Sequence, residues 1–193
     1  MKLPALILFA PGAGAPSSSD WMRAWARRLG ELGRVVAFDY GYQLEKRRRP
    51  DPLPVLVARH RQQLAEACAG SAQPVVLAGK SMGSRVGCHV SLEEHVEALI
   101  CFGYPLKAVG TGKLRDEVLL QLSTPILFVQ GSKDALCPLP LLESVRGRMT
   151  ARSELHVVEG GDHSLRVPKR APRSQDSIDE EILGVVRRFL DSV

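Results

Sequence analysis

The feature that most constrains this chain is a series of short, continuously apolar runs: Leu6 to Phe9, Val35 to Phe38, Val75 to Ala78, Ala98 to Phe102, Ile126 to Val129 and Leu155 to Val158. None alternates apolar with polar residues, so each reads as a strand covered on both faces, as in a parallel sheet. The segments between them read as helices: Ser17 to Leu32, Pro54 to Ala69, Ser81 to Val90 and Pro138 to Met149. A final helix carries Ile178, Ile182, Val185, Val186, Phe189 and Leu190 on one face. Alternating strands and helices with right-handed crossovers predict an α/β domain: a minimal, roughly six-stranded, mainly parallel sheet with helices on both faces. Its active site is expected at the carboxyl ends of the strands.

At 193 residues, 45% of them hydrophobic, the chain has material for one good core, so residues 1–193 are expected to form a single domain. No apolar run approaches the ~18 residues of a membrane span, and Met1-Lys2-Leu3-Pro4 breaks the pattern of a secretory signal. A soluble, cytoplasmic protein without membrane contact is expected. Cys68, Cys88, Cys101 and Cys137 are widely spaced and form no CxxC pair, so they read as reduced apolar fillers, and no metal is implied. The net charge of +5 gathers in Arg47-Arg48-Arg49 and between Arg166 and Arg173, without aromatic neighbours to stack bases. Solvated loops explain these better than a nucleic-acid surface.

The most informative stretch is Gly79-Lys80-Ser81-Met82-Gly83, which fits G-x-S-x-G, follows a strand and opens a helix. That context suits a nucleophile elbow: a tight turn forces the serine into strained backbone, and the flanking glycines avoid clashes. Ser81 is the candidate nucleophile. Its place at a helix N-terminus makes the Met82 N–H a candidate oxyanion donor. Gly79-Lys80-Ser81 also resembles the end of a phosphate-binding loop, but Pro74 stands where G-x-x-x-x-G-K-[ST] requires glycine.

A nucleophilic serine needs a base. Among the histidines only His163, in Gly160-Gly161-Asp162-His163, lies in a loop directly after a strand, at the edge expected to hold Ser81. His60, His89 and His95 lie in or beside helices and His156 inside a strand. Asp134, in the loop after the fifth strand, is the candidate that orients the imidazole; Asp162, a neighbour of His163 in sequence, is poorly placed to face its ring. The order Ser, Asp, His is that of the hydrolase elbow motif. A second oxyanion donor is expected from the glycine-rich loop after the first strand, Ala10 to Pro16: the Ala13 N–H, with Gly14 next.

Taken together, Ala10 to Gly14, Gly79 to Gly83, Gly131 to Pro138 and Gly161-Asp162-His163 resemble the α/β-hydrolase superfamily over nearly the whole chain. The Gly79–Gly83 motif followed by Arg85, with Phe102-Gly103-Tyr104-Pro105-Leu106, further resembles a small group. That group includes a regulatory subunit of a chromatin acetyltransferase complex and testis-expressed relatives. Dienelactone-hydrolase-like proteins are more distant. The resemblance implies the α/β-hydrolase fold and esterase or related acyl-hydrolase chemistry without a cofactor; fold alone does not fix substrate.

Two positions depart from the superfamily's pattern. Pro11 stands where many members carry histidine, and Lys80 where an aromatic residue or histidine is commoner, so Lys80 is expected either to favour anionic substrates or to pack away from the pocket. The superfamily's two leading strands are expected to be absent, and the short stretch from Gly103 to Thr124 leaves no room for a large lid. The expected activity is hydrolysis of a small carboxylic ester or thioester through an acyl-enzyme. The alternative is a non-catalytic interaction module that binds a protein partner.

Overall fold

In the computed structural model, which describes residues 5–69 and 73–193, the six apolar runs form strands. They are β1 (Ala5–Ala10), β2 (Gly33–Ala37), β3 (Val75–Lys80), β4 (Ala98–Phe102), β5 (Ile126–Gly131) and β6 (Ser153–Val158). All pair in parallel in the order β2-β1-β3-β4-β5-β6. Met1–Pro4, read above against a secretory signal, lie outside the described residues. Among the described residues no helix is long and apolar enough to cross a membrane.

Among the described residues six helices connect and flank the strands: α1 (Asp20–Leu29), α2 (Gly41–Leu44), α3 (Leu53–Cys68), α4 (Met82–Val90), α5 (Leu139–Arg146) and α6 (Gln175–Asp191). The short α2 is absent from the sequence reading, because four residues are too few to show a helical period. Two expected helices are shorter at both ends. α1 ends at Gly30 and α5 at Gly147, where glycine's freedom makes continued helix unfavourable. α6 begins on a capping bond, from the Ser177 N–H to the Ser174 hydroxyl at 3.2 Å.

The connections put helices on both faces. β1 to β2 runs one way along the sheet; β2 to β3 and every later step run the other, so right-handed crossovers place α1 opposite α3, α4 and α5. On one side α1 and α6 pack Met22, Trp25, Ile182, Val186 and Phe189 onto Ile7, Phe9, Val76, Ala78, Ile100 and Phe102. On the other, α3, α4 and α5 pack Leu56, Leu64, Val86, Leu142 and Val145 onto Leu8, Leu77, Leu99, Cys101 and Phe128. Alternate residues of each strand thus serve opposite cores, as the pleat requires.

Strand order reverses between β1 and β3, so the loops leaving these neighbours diverge at their carboxyl ends, where a crevice is expected. Among the described residues no large lid covers this edge. The stretch from Gly103 to Thr124 folds down instead: Tyr104, Leu106, Val118, Leu119 and Leu122 are buried, and its only regular pieces are a bridge between Lys107 and Leu114 and a 3-10 turn at Leu119–Gln121.

Candidate active site

β3 ends at Lys80 and α4 begins at Met82, leaving Ser81 alone to make the turn, at φ 50° and ψ −113°. A side chain held there costs roughly 1–3 kcal/mol, which surrounding contacts must offset. Those contacts are close. A Cβ on Gly79 would lie 2.3 Å from the Ser84 nitrogen, and one on Gly83 would lie 2.5 Å from the Ala10 carbonyl oxygen. Both glycines of the motif are therefore required by the approach of α4 to its own strand and to β1. The Ser81 N–H donates to the Phe102 carbonyl at 2.9 Å, which ties the turn to β4.

The structure brings Ser81, Asp134 and His163 together. His163 Nε2 lies 2.8 Å from Ser81 Oγ, and Nδ1 lies 2.7 Å from Asp134 Oδ2. A carboxylate only accepts, so Nδ1 carries the proton and Nε2 is left to accept from the Ser81 hydroxyl. The Asp134 side chain is fully buried, while that of His163 keeps 29% of its surface exposed, open toward the crevice. Asp134 is satisfied twice more: its Oδ1 accepts from the Leu136 N–H at 2.8 Å and its Oδ2 from Gln130 Nε2 at 2.5 Å. Gln130 is fixed in turn by the Tyr104 N–H, which donates to its Oε1 at 3.0 Å.

Asp162 plays a different part. Its Oδ1 accepts from the backbone N–H groups of Ser164 and Arg166, at 2.7 and 3.0 Å, and so folds the loop that presents His163. Gly131, where a Cβ would lie 2.3 Å from the carbonyl oxygens of Gly161 and Asp162, lets that loop pack against the end of β5.

Lys80 does not face the crevice, and of the two expectations for it packing away is the one realised. Its position on the strand, in line with Val76 and Ala78, turns it to the α1/α6 side. There it is 8% exposed, its ammonium lies 5.5 Å from the Trp21 ring centroid, and it donates to the His163 carbonyl oxygen. Burial lowers its pKa to about 8, against the pull of the Asp134 and Asp162 charges. Trp21 Nε1 donates to the Ser164 carbonyl at 2.9 Å, so the same corner holds two successive carbonyls of the His163 loop.

The loop after β1 passes beside Ser81: a Cβ on Gly12 would lie 3.6 Å from the Ser81 Cβ. α2 holds this loop. Tyr42 donates from its hydroxyl to the Ala13 carbonyl at 2.9 Å, and Gln43 Nε2 donates to the carbonyls of Gly12 and Ala15, both at 3.0 Å. With the Gly12, Ala13 and Ala15 carbonyls bonded to α2, the Ala13 N–H has no acceptor among the described residues, and the Met82 N–H likewise.

Sequence reading missed Gln130, Tyr42, Gln43 and the role of Lys80. Period-2 alternation in β3 and β5 carried a signal for Lys80 and Gln130, since each is a polar residue at the end of an otherwise apolar face. For Tyr42 and Gln43 there was none. The other histidines lie elsewhere: His60 is fully buried with Nδ1 3.2 Å from the Tyr40 hydroxyl, His95 is exposed, and His156 lies 3.5 Å from Glu181. Among the described residues no three or more His, Cys, Asp or Glu side chains converge as a metal site, and the four cysteines are free. The basic loops are solvated, with Arg47 paired to Glu45 and Asp51, and Arg173 to Glu181.

A six-stranded parallel sheet with a strained serine at the turn after a central strand, and no large lid, defines an α/β-hydrolase type of fold. Residues 4–191 match the family description of the alpha/beta hydrolase domain, and the chain belongs to that family. Solved structures agree on the fold. An alpha-beta serine hydrolase homologue from Coxiella burnetii is 20% identical, with a TM-score of 0.75 over 95% of this chain and 84% of that one. Est1E from Butyrivibrio proteoclasticus, solved with ferulic acid bound, is 15% identical, with a TM-score of 0.74 over 98% and 89%. A predicted CIB-like hydrolase from Thermoplasma acidophilum is 20% identical, with a TM-score of 0.69 over 98% and 87%.

Proposed function

We propose that this chain, acting as a single domain, is a serine hydrolase that cleaves a small carboxylic ester or thioester through an acyl-enzyme, with Ser81, His163 and Asp134 as its catalytic triad. One observation carries the reading: the unbroken chain of hydrogen bonds from Ser81 Oγ through the His163 ring to a buried, fully bonded Asp134. A buried carboxylate held against imidazole fixes the tautomer and stabilises the imidazolium that forms when serine gives up its proton.

Ser81 Oγ attacks the substrate carbonyl carbon as its proton passes to His163 Nε2. The carbonyl oxygen becomes an oxyanion facing the Met82 and Ala13 N–H groups, aided by the positive end of α4. Collapse breaks the bond to the alcohol or thiol, which leaves with the proton from His163. Water then attacks the acyl-enzyme, giving its proton to the same nitrogen, and the acid departs as Ser81 regains its hydrogen. No cofactor takes part.

Within the superfamily we place the chain nearest the group marked by Gly79 to Gly83 followed by Arg85, on those residues and Phe102 to Leu106. Four free cysteines support a reducing, cytoplasmic setting. The fully assembled triad weighs against a non-catalytic module, which has no need of a desolvated Asp134. Labelling by a fluorophosphonate probe tests the reading: wild type is expected to take up the probe and Ser81→Ala to take up none. A wild-type protein that stays unlabelled while folded would overturn it.

A further inference from the structure

One turn along α4 from Ser81, Arg85 is set in a way the proposed chemistry does not use. Its backbone N–H continues the helix by donating to the Ser81 carbonyl at 3.2 Å, while its side chain points toward the segment that follows β4. Its Nε is buried without a hydrogen-bond partner, and among the described residues no carboxylate pairs with its guanidinium. Arg85 as a whole is half-buried, and a partly desolvated cation without a counter-charge is costly.

Arg85 lines a cavity of about 210 Å³ together with His89, Thr111, Lys113, Arg115 and Glu117. Arg115 has no side-chain partner among the described residues either; Tyr104 bonds its carbonyl, not its guanidinium. Burial lowers the Arg115 pKa, and the Arg85 charge lowers it further. The same two causes lower that of His89, while Glu117 pulls it back up. Glu117 is the one acid on the wall, and at 4.0 Å it is loosely engaged with Lys113. Arg85, Arg115 and Lys113 against Glu117 leave two positive charges uncompensated with His89 neutral, and two guanidinium groups offer forked donors.

We propose that this cavity is a binding site for a phosphate group, held between Arg85 and Arg115. Phosphate carries between one and two negative charges near neutral pH, matching the excess, and its oxygens suit paired guanidinium forks better than a lone carboxylate does. The site is independent of the acyl chemistry at Ser81: it requires neither the triad nor turnover.

The test is thermal unfolding and calorimetric titration of the full chain with inorganic phosphate, against acetate and chloride at constant ionic strength. Phosphate is expected to raise the midpoint saturably, acetate and chloride much less. Arg85→Gln and Arg115→Gln are each expected to weaken phosphate binding at least tenfold, Arg170→Gln in the distant basic loop not at all, and Ser81→Ala to bind as wild type does. Should Arg85→Gln fail to fold, Arg115→Gln carries the test. A second arm titrates glycerol phosphate: tighter binding than inorganic phosphate assigns the site to a phosphorylated small molecule, equal or weaker binding to the free anion. Phosphate binding that is absent, or unchanged in Arg115→Gln, overturns the proposal.

Discussion

The two sides of the sheet are built from the same kind of apolar residue but treat charge differently. On the α1/α6 side the rings of Phe9, Trp21, Trp25 and Phe102 form a cluster of tilted and edge-on contacts, the longest 6.3 Å between centroids, and one ammonium, that of Lys80, lies beside them. The α3/α4/α5 side holds Tyr40, His60, Gln130 and the unpaired Arg85 among its aliphatic residues. The first side fixes the loop that carries His163. The second fixes the helix that follows Ser81, the carboxylate of Asp134 and, through α2, the loop of Ala13. The proposed triad draws on both packed layers, which the sheet joins at the ends of β3, β5 and β6.

Substitutions on each side break that comparison in different ways. The largest effect belongs to the proposed triad. Ser81→Ala is expected to lower kcat/KM for a short-chain aryl ester about 10,000-fold or more, and Asp134→Asn by roughly 1,000-fold or more, since an amide in place of the carboxylate favours the wrong imidazole tautomer. Circular dichroism and thermal unfolding of Ser81→Ala should stay close to wild type, showing that the loss is chemical.

Gln130→Met comes next. It leaves Asp134 Oδ2 without one of its donors and the Tyr104 N–H without its acceptor, at a buried site, so a loss of about 1–3 kcal/mol in stability is expected, read by urea unfolding. Activity should fall about tenfold through a less firmly held carboxylate.

Lys80→Met separates the layers more finely. Below pH 8 the ammonium gives a charge-assisted bond to the His163 carbonyl; above it the neutral amine gives a weaker one. Wild-type kcat is therefore expected to decline with an inflection near pH 8 that the variant lacks. Stability moves the other way. The folded pKa lies below the free-lysine 10.5, so the unfolded chain binds more protons between about pH 8 and 10.5, and this residue's contribution improves as pH rises through that window. Activity falling while stability holds or rises separates positioning of His163 from unfolding.

His60 gives the smallest effect at neutral pH; its influence lies on the opposite side and at acid pH. Burial lowers its pKa to about 3, so between the free-histidine 6.5 and 3 the unfolded chain takes up a proton that the folded one refuses. Stability should fall by at most about 1.4 kcal/mol per pH unit from this group as pH drops through that window, and His60→Leu should flatten the slope.

Much of this architecture was legible in the sequence. Apolar runs located every strand; burial on both faces keeps β1, β4 and β5 free of polar alternation, while the half-buried edge strands β2 and β6 keep shorter runs beside Arg34 and Glu154. The convergence of Ser81, Asp134 and His163 was legible because each follows a strand whose carboxyl end lies at the same edge of the sheet. What escaped reading were side chains whose function lies in the partner reached. For Lys80 the sequence left pocket charge and packing away both open until strand parity turned it toward Trp21, and Gln130 looked like the ragged end of β5. Tyr42 and Gln43 act from a helix of four residues on a loop some thirty positions away in sequence, a pairing no local pattern announces.

The claim on which the rest depends is that Ser81 becomes acylated. Rapid mixing of the protein with p-nitrophenyl acetate, with peptide mass analysis of the quenched sample, tests it directly. The account predicts a burst of p-nitrophenol approaching one equivalent of protein and an acetyl group on the peptide containing Ser81, both absent in Ser81→Ala. Product release with no acetylated Ser81 peptide, or a burst that persists in Ser81→Ala, would contradict it.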